Sequence, residues 1–540
     1  MSDFLTSNQN IVRGAANELG WRHLETTDGD DHRGEELTVE FTPVLSLIHL
    51  SDLHICDAQS PVRAEIVDRF ADPHNLISEH VGLVGSYRAQ EIMTVQTLES
   101  MVRTVNKIDT GLFSARPIDA VVVTGDVTDN AQSNELDWYM TLLDGGDITP
   151  DSGSLDRWEG AAQTDPKYYD RSYWNPEGTP SGCEDDYPRS LYGLPLVPGL
   201  TDAVRKPFYA TGLKHGWLAT HGNHDALLQG TVPSDPTLAA FAVGDQKLIS
   251  LSPQLDLFDF MSKWSEVGPA AYPPLEGGET RPIGADPRRK ANSPSDWAKV
   301  HLSCGNPEHD GHGLTPENES HGSKYWYKDI DGIRLISLDT VNENGGWQGS
   351  LDEAQFLWLK RVLTDISPRY FVLLSHHPLH TLYNDYTPKP MDRRICQDEL
   401  RTELLKHDRI ILWLAGHNHQ NEIQLIADED GYGFWHVMTS SLIDWPQQGR
   451  LVEIFEGGNR VAIATTTFNH ESPIDLDTAT SDLNDPVNLA GLSRLLAAND
   501  WQRRGEKFNL EELAGSASDR NRVLWLREAK RMSRKEVQGE

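Results

Sequence analysis

Trp217-Leu218-Ala219-Thr220-His221-Gly222-Asn223-His224-Asp225 joins a short apolar run to an amide, two imidazoles and a carboxylate. Polar groups gathered at the end of a buried strand lose solvation unless something pairs with them. An amide oxygen, imidazole nitrogens and a carboxylate suit a divalent metal or a phosphoryl group. Taken alone, the stretch also reads as an ordinary turn, because Gly-Asn and His-Asp are common turn chemistry. The rest of the chain decides between the two.

Four other apolar runs end in the same manner. Residues 45–50 run into Ser51-Asp52-Leu53-His54, and residues 118–123 into Thr124-Gly125-Asp126-Val127-Thr128-Asp129-Asn130. Residues 370–374 run into Ser375-His376-His377-Pro378, and residues 410–414 into Ala415-Gly416-His417-Asn418-His419. Ligands of α/β sheets gather at the carboxyl ends of strands, so five polar clusters at five such ends point to one place. Asp52/His54 and His417/His419 are i, i+2 pairs, which face one side where the backbone is extended. The donors are oxygen and imidazole nitrogen without thiolate, which suits Mn, Fe or Zn better than Ca or Mg. Asp52, His54, Asp126, Asn223, His376, His417 and His419 exceed the needs of one tetrahedral ion. They suit two ions sharing a carboxylate, about 3.5–4 Å apart, the arrangement that clamps the attacking and leaving oxygens of phosphoryl transfer.

Taken in order, D-x-H, G-D-x-x-D, G-N-H-D, H-H-x-P-like and G-H-x-H resemble the calcineurin-like metallophosphoesterase superfamily; the fourth motif here is His376-His377-Pro378. Leu338-Asp339-Thr340 and residues 351–359 are similar to a strand and following helix of its phosphodiesterase branch. The resemblance implies one metal on Asp52, His54 and His419 and another on Asn223, His376 and His417. The same resemblance implies that Asp126 would bridge them together with a hydroxide that attacks phosphorus in line. It further implies His224 as the general acid, with Asp129 holding its other ring nitrogen. The expected cofactors are two divalent or trivalent transition ions.

Departures from the family pattern direct the choice of substrate. Purple acid phosphatases carry Tyr where this chain has Asp129, so a tyrosinate–iron colour is not expected. Protein phosphatases carry Arg and Glu where it has Asn130 and Asp225, so their phosphate-clamping Arg is missing. A phosphodiester or small organophosphate is therefore the expected substrate. A phosphomonoesterase or nucleotidase on the same metals is the alternative, and a non-catalytic metal-binding scaffold the third.

The separate-caps reading of the seven donors and His224 is set against five clusters in family order. His221, His377 and His380 lie near the expected site but serve equally well as packing or supporting groups. Cys56 reads as a small core residue. Cys304, His309, His312 and His321 could form a second zinc site, although their spacing matches no common zinc pattern. The four cysteines lack a C-x-x-C pair and read as reduced thiols.

The 540 residues carry 48 basic and 82 acidic side chains, a formal charge of −34. Such a chain repels nucleic-acid backbones and anionic membranes, and an anionic substrate binds only where local cations overturn the field. No nucleic-acid partner and no membrane span is expected; an oligomer is possible. Residues 1–5 carry neither a basic nor an apolar leader-like segment, and the expected location is cytoplasmic.

Helical spacing is read over residues 88–108, 135–143, 237–250, 255–267, 351–363 (with Ser350 as N-cap), 397–406, 489–497 and 520–531. Strands are expected at residues 44–50, 118–123, 217–220, 325–327, 333–338, 370–374, 410–414, 422–426, 433–438, 451–455 and 461–467. Strands separated by helices early, and hairpins late, argue for a mixed α/β sandwich. The expected architecture is a four-layer α-β-β-α sandwich of two mixed sheets flanked by helices. It spans residues 43–475, with insertions at about 145–205 and 227–321. A polar extension of residues 1–42 covers the surface loosely, and residues 476–540 form a helical extension. The Trp/Tyr-rich first insertion (Trp158, Tyr168, Tyr169, Tyr173, Trp174) reads as a substrate lid, an oligomer contact or a solvated loop.

Overall fold

A computed structural model describes residues 4–34, 37, 40–81, 83–269, 277–303, 310–389, 391–458, 460–478, 480–504 and 509–526. It is a mixed α/β structure with two six-stranded sheets. The first sheet runs, edge to edge, through Arg522–Leu526, Arg460–Asn469, Gln448–Gly457, Thr42–Leu50, Ala120–Thr124 and Trp217–Thr220. The last three of these strands are parallel, and the others pair antiparallel. The second sheet runs through Trp326–Ile330, Ile333–Leu338, Tyr370–Ser375, Ile410–Ala415, Gly433–Met438 and Glu422–Ala427, with its four inner strands parallel.

One apolar cluster joins the two sheets. Leu47, Val121 and Val123 of the first share it with Leu335, Val372, Leu412 and Val437 of the second. Alternate residues of the second sheet, among them Ile336, Leu373 and Trp413, turn to a separate cluster. That cluster includes Phe356 and Leu359 of the helix Glu353–Thr364 and Leu400 of the helix Gln397–Leu404. This follows from the period of two along a strand: a residue and its neighbour serve opposite faces. The helix Thr94–Val105 brings Leu98, Met101, Val102 and Val105 to the first cluster, the apolar stripe expected from residues 88–108.

The hairpin across Asp331-Gly332 forms, with positive φ at both turn residues, the requirement of a tight two-residue turn. Several expectations need correction. Asp352, not Ser350, caps the helix Glu353–Thr364: Leu351-Asp352 still pairs as strand with Arg394-Ile395, and Ser350 Oγ accepts from Arg394 instead. The helix expected over 237–250 stops at Ala242, and Gln246–Leu248 becomes a strand against Thr280–Pro282. The helix expected over 520–531 is replaced, within the described residues, by the strand Arg522–Leu526. Val523 and Leu524 there are buried along the first sheet, so sheet pairing overrides helical spacing.

The N-terminal stretch is not a loose cover. Gln9–Ala16 and Arg22–Asp28 pair as a hairpin, and Thr6 is buried with its hydroxyl donating to Thr467 O at 3.0 Å. Trp21 and Leu24 of this hairpin, Tyr173 and Trp174 of the first insertion, and Leu489, Leu492 and Leu496 of the helix Pro486–Ala497 form one apolar cluster. The aromatic insertion therefore packs against the two terminal segments. The second insertion contributes Met261 and Trp264 to another cluster with Ile66 and Val67. No described helix is long and apolar enough to cross a membrane.

Candidate metal centre

The seven expected donors come from five strand ends and converge on one buried locus. Asp52, His54, Asp126, Asn223, His376 and His419 are buried, and His417 is half-buried. The i, i+2 pairs reach the locus differently from expectation. Asp52 and His54 have φ of 52° and 46°, and His417 and His419 have 73° and 58°. They are left-handed rather than extended, because the chain leaves each sheet at that point. Asp126, at φ 50°, is a fifth donor in the same region. Such conformations cost non-glycine residues about 1–2 kcal/mol each, and five at one locus mark a place held by its surroundings.

Close approach explains two of the motif glycines. A Cβ on Gly222 would strike the backbone N and carboxylate of Asp126, and one on Gly416 would strike Ser51 and Asp52. Any side chain there would push one motif off the next. Asp225 braces the same turn: its carboxylate accepts from Thr128 N at 2.9 Å and Gly222 N at 2.9 Å.

Hydrogen bonds settle which atom each donor presents. His54 Nδ1 donates to Asp129 Oδ1 at 3.2 Å, His419 Nδ1 to Asp444 Oδ2 at 2.8 Å, and His376 Nδ1 to the carbonyl of Thr124 at 3.0 Å. All three acceptors lack a proton, so each Nδ1 carries the hydrogen and each Nε2 is a bare lone pair in the neutral ring. Those lone pairs face one another and other acceptors. His54 Nε2 lies 3.1 Å from His419 Nε2, which lies 3.4 Å from Asp52 Oδ1. His376 Nε2 lies 3.0 Å from Asn223 Oδ1, 3.2 Å from His417 Nδ1 and 3.2 Å from Asp126 Oδ2. Asn223 Nδ2 donates to Gln229 O at 3.0 Å, so its oxygen is the atom turned inward. Asp126 Oδ1 accepts from His224 N at 2.8 Å, while Oδ2 reaches His376 and, at 3.7 Å, His54.

Lone pairs aimed at lone pairs repel unless a proton or a cation lies between them. Two nitrogens bound to one ion at about 2.0–2.1 Å in a tetrahedron lie about 3.3 Å apart, close to the separations seen. Among the described residues, Asp52/His54/His419 and Asp52/Asp126/His376 are groups able to hold a metal ion. The four imidazoles divide: burial and neighbouring imidazoles push His54 down to about 4 and His417 well below its ordinary value, whereas the carboxylates prevail at His376 and His419. Burial lowers the pKa of His376, but the carboxylates of Asp126 and Asp52 outweigh it and raise it to about 9. Burial is likewise overcome at His419 by Asp52 and Asp444, which raise it.

Two more such groupings are His54/Asp126/His224 and His376/His377/His417, but both nitrogens of His377 are engaged. Its Nε2 donates to Trp347 O at 2.9 Å, and its Nδ1 accepts from Thr340 Oγ1 at 2.8 Å. Burial and the neighbouring His376 push it down to about 3. It is a support, not a donor. His380 Nε2 accepts from Asn418, and His221 is buried against Trp297, with Asp339 3.6 Å from its Nδ1. Of the conceivable zinc set, Cys304 and His309 lie outside the described residues; His312 is buried and stacked on Trp217, and His321 is exposed.

His224 stands at the edge of the cluster, its ring 4.4 Å from that of His54. Its Nδ1 donates to the backbone carbonyl of Asp129 at 2.9 Å, with the carboxylate farther away at 3.6 Å. Asp129 thus holds His224 mainly through its backbone, and its carboxylate lies nearer His54. Burial would raise the pKa of that carboxylate, but Arg63, at 3.3 Å, and the two imidazoles hold it well below its ordinary value.

Sequence reasoning missed three groups. Asp444 follows the strand Gly433–Met438, a sixth strand end with a polar cluster, Thr439-Ser440-Ser441, that could have signalled it. Arg88 and Arg503 both bond to Asp444, at 2.7 and 3.0 Å, and no motif marks either. Asn130, where protein phosphatases carry their clamping Arg, is buried with its side chain bonded to Val62 O and, at 2.7 Å, to Leu228 N.

A cleft of about 520 Å³ opens over the cluster. Its floor includes Asp126, Asn223, His224, His417 and His419; its walls include Leu83, Val84, Met261, Trp264 and Trp347, and Arg88 and Arg503 line it too. No family model matches the chain, and no curated protein is significantly similar to it.

Proposed function

We propose that this protein is a metal-dependent phosphoester hydrolase of the calcineurin-like metallophosphoesterase type, acting by preference on phosphodiesters. The observation that carries the reading is the set of imidazole nitrogens that converge on one another and on carboxylate and amide oxygens at 3.0–3.4 Å, three of the rings having their other nitrogen bonded away from the locus. Asp52, His54 and His419 would hold one ion, Asn223, His376 and His417 another, and Asp126 would touch both. Bound there, two transition ions would supply Lewis acidity and a nucleophile drawn from water at neutral pH. The four-layer α-β-β-α arrangement belongs to the same proposal. It is supported by the shared cluster between the sheets and by the helices that join the cluster on the far face of the second sheet.

The chain's own residues supply the rest. His224 Nε2 is left to hold a proton for the leaving oxygen, since Nδ1 is occupied by the Asp129 carbonyl. Burial lowers the pKa of His224, but Asp126 and Asp129 raise it above the ordinary imidazole value, favouring the protonated form that an acid requires. The apolar walls of the cleft favour an ester carrying an apolar substituent, and hence a diester over a bare monoester. The deciding experiment compares hydrolysis of an aryl phosphodiester with that of the matching monoester by Mn-, Fe- and Zn-loaded protein. Faster monoester turnover with all three metals would reject the diester assignment, and no turnover of either ester would reject the hydrolase reading.

A further inference from the structure

The mechanism leaves Arg503 without a task. It sits in the 3₁₀ turn Gln502–Arg504, just after the helix Pro486–Ala497, in the C-terminal extension. Its side chain is nine-tenths buried and lines the cleft beside His224, His417 and His419. Both neighbours are clamped: Trp501 Nε1 and Gln502 Nε2 donate to Asp72 Oδ1 at 2.7 and 3.1 Å, and Arg504 donates to the carbonyls of Leu19 and Tyr192, each at 3.1 Å. A short turn pinned on both sides presents Arg503 on a rigid frame.

The pairing around it is unequal. One carboxylate, Asp444, serves two guanidiniums and His419 at once. Arg88 spends its donors there and on Gly85 O, with Nε and Nη2 on Asp444 at 2.7 and 3.3 Å and Nη1 on the carbonyl at 2.8 Å. Arg503 gives Asp444 only Nη2, at 3.0 Å. Its Nε is buried without a hydrogen-bond partner, the nearest carboxylate oxygen (Asp500) being 3.6 Å away. That Nε is closed to solvent and out of reach of the cleft; Nη1 makes no hydrogen bond among the described residues, and it is the donor that an anion in the cleft Arg503 lines would take. In a chain with a formal charge of −34, such a local cation is what an anionic ligand needs.

We propose that Arg503 is the phosphate-recognising residue of the cleft: it donates to a non-bridging oxygen of the substrate's phosphoryl group while Asp444 holds its guanidinium plane. This deepens the proposed function and rests on it for the identity of the substrate. It gives the chain, from its C-terminal extension, the clamp that Asn130 does not provide. The same geometry would accept free inorganic phosphate, which serves as the probe.

The test titrates inorganic phosphate into full-length, metal-loaded protein by calorimetry, for wild type, Arg503→Gln and Arg503→Lys, with metal content measured on each sample. A charge-assisted hydrogen bond of about 1.5–3 kcal/mol predicts an affinity loss of about ten- to hundredfold in Arg503→Gln at unchanged metal content. Arg503→Lys keeps the charge and should recover part of it. KM for an aryl phosphodiester should rise more than kcat falls. Unchanged phosphate affinity in Arg503→Gln would overturn the proposal, as would metal loss in step with phosphate loss, since Arg503 would then merely support Asp444 and His419. Absence of phosphate binding by wild type would overturn it as well. Should wild type hydrolyse neither ester yet bind phosphate through Arg503, the hydrolase reading fails and the anion site stands. Hydrolysis indifferent to Arg503 is the reverse case.

Discussion

The floor and the walls of the cleft are built on different principles. The floor is backbone-determined: its donors sit at the ends of paired strands, five of them at positive φ, and most imidazoles have their second nitrogen tied down. The walls are side-chain-determined, with Met261 and Trp264 from the second insertion, Arg503 from the C-terminal extension, and Leu83 and Val84 from the segment before the helix Thr94–Val105. A metal tolerates little error in ligand position, so its donors belong on rigid strand ends. A substrate's remote substituent needs only apolar surface and one or two fixed charges, which irregular segments can supply. The floor should therefore govern whether chemistry occurs, and the walls on what.

That division can be broken experimentally. The largest effect is expected from the floor. Asp126→Asn should lower turnover by at least about a thousandfold, since the lost charge stabilisation amounts to several kcal/mol; turnover and metal content measured together check it, and a fully active variant would end the shared-carboxylate assignment. His224→Ala should slow esters with poor leaving groups by about 10²–10⁴-fold while metal content stays constant. Equal losses for good and poor leaving groups would remove His224 as the acid. Next, Asp444→Asn should weaken metal binding by about 10–100-fold, because His419 Nδ1 loses its carboxylate partner; competition with a chelating dye reads this directly.

pH provides a further handle. Asp126 and Asp52 raise the pKa of His376 to about 9 in the metal-free protein, so protons compete with the ion there. Metal affinity should fall as pH drops below that value, and loading at pH 7 should release about one proton or more. Calorimetry in buffers of different ionisation enthalpy would detect the release, and its absence would show that the ion displaces no proton from His376. The smallest effect belongs to the walls: Leu83→Ala should raise KM for an aryl diester by about two- to tenfold, leaving kcat and metal content unchanged. A kcat loss matching that of a floor variant would erase the distinction.

The floor was legible in sequence because a strand end is a local event. An apolar run followed by Asp-x-His or Gly-His-x-His can be seen within a dozen residues, and recurrence of the pattern implies convergence. The manner of convergence was not legible. The i, i+2 pairs meet through left-handed backbone rather than extended strand, since that depends on how each chain leaves its sheet. Nor could spacing show that Asp129 uses its carbonyl on His224 and its carboxylate nearer His54. The strand Arg522–Leu526 was misread because its helical spacing is local, while its partner, Arg460–Asn469, is distant in the chain.

By itself, then, the sequence determined the donor types, their placement at strand ends, the mixed α/β character and the acidic field around them. Each of these depends on composition or on periodicity over a few residues. Tertiary structure alone decided that the N-terminal hairpin, the aromatic insertion and the C-terminal helix share one apolar cluster, and that Arg503 meets Asp444 across 59 positions of chain. Those contacts carry no local pattern, because burial and charge pairing act between surfaces that only the completed fold brings together.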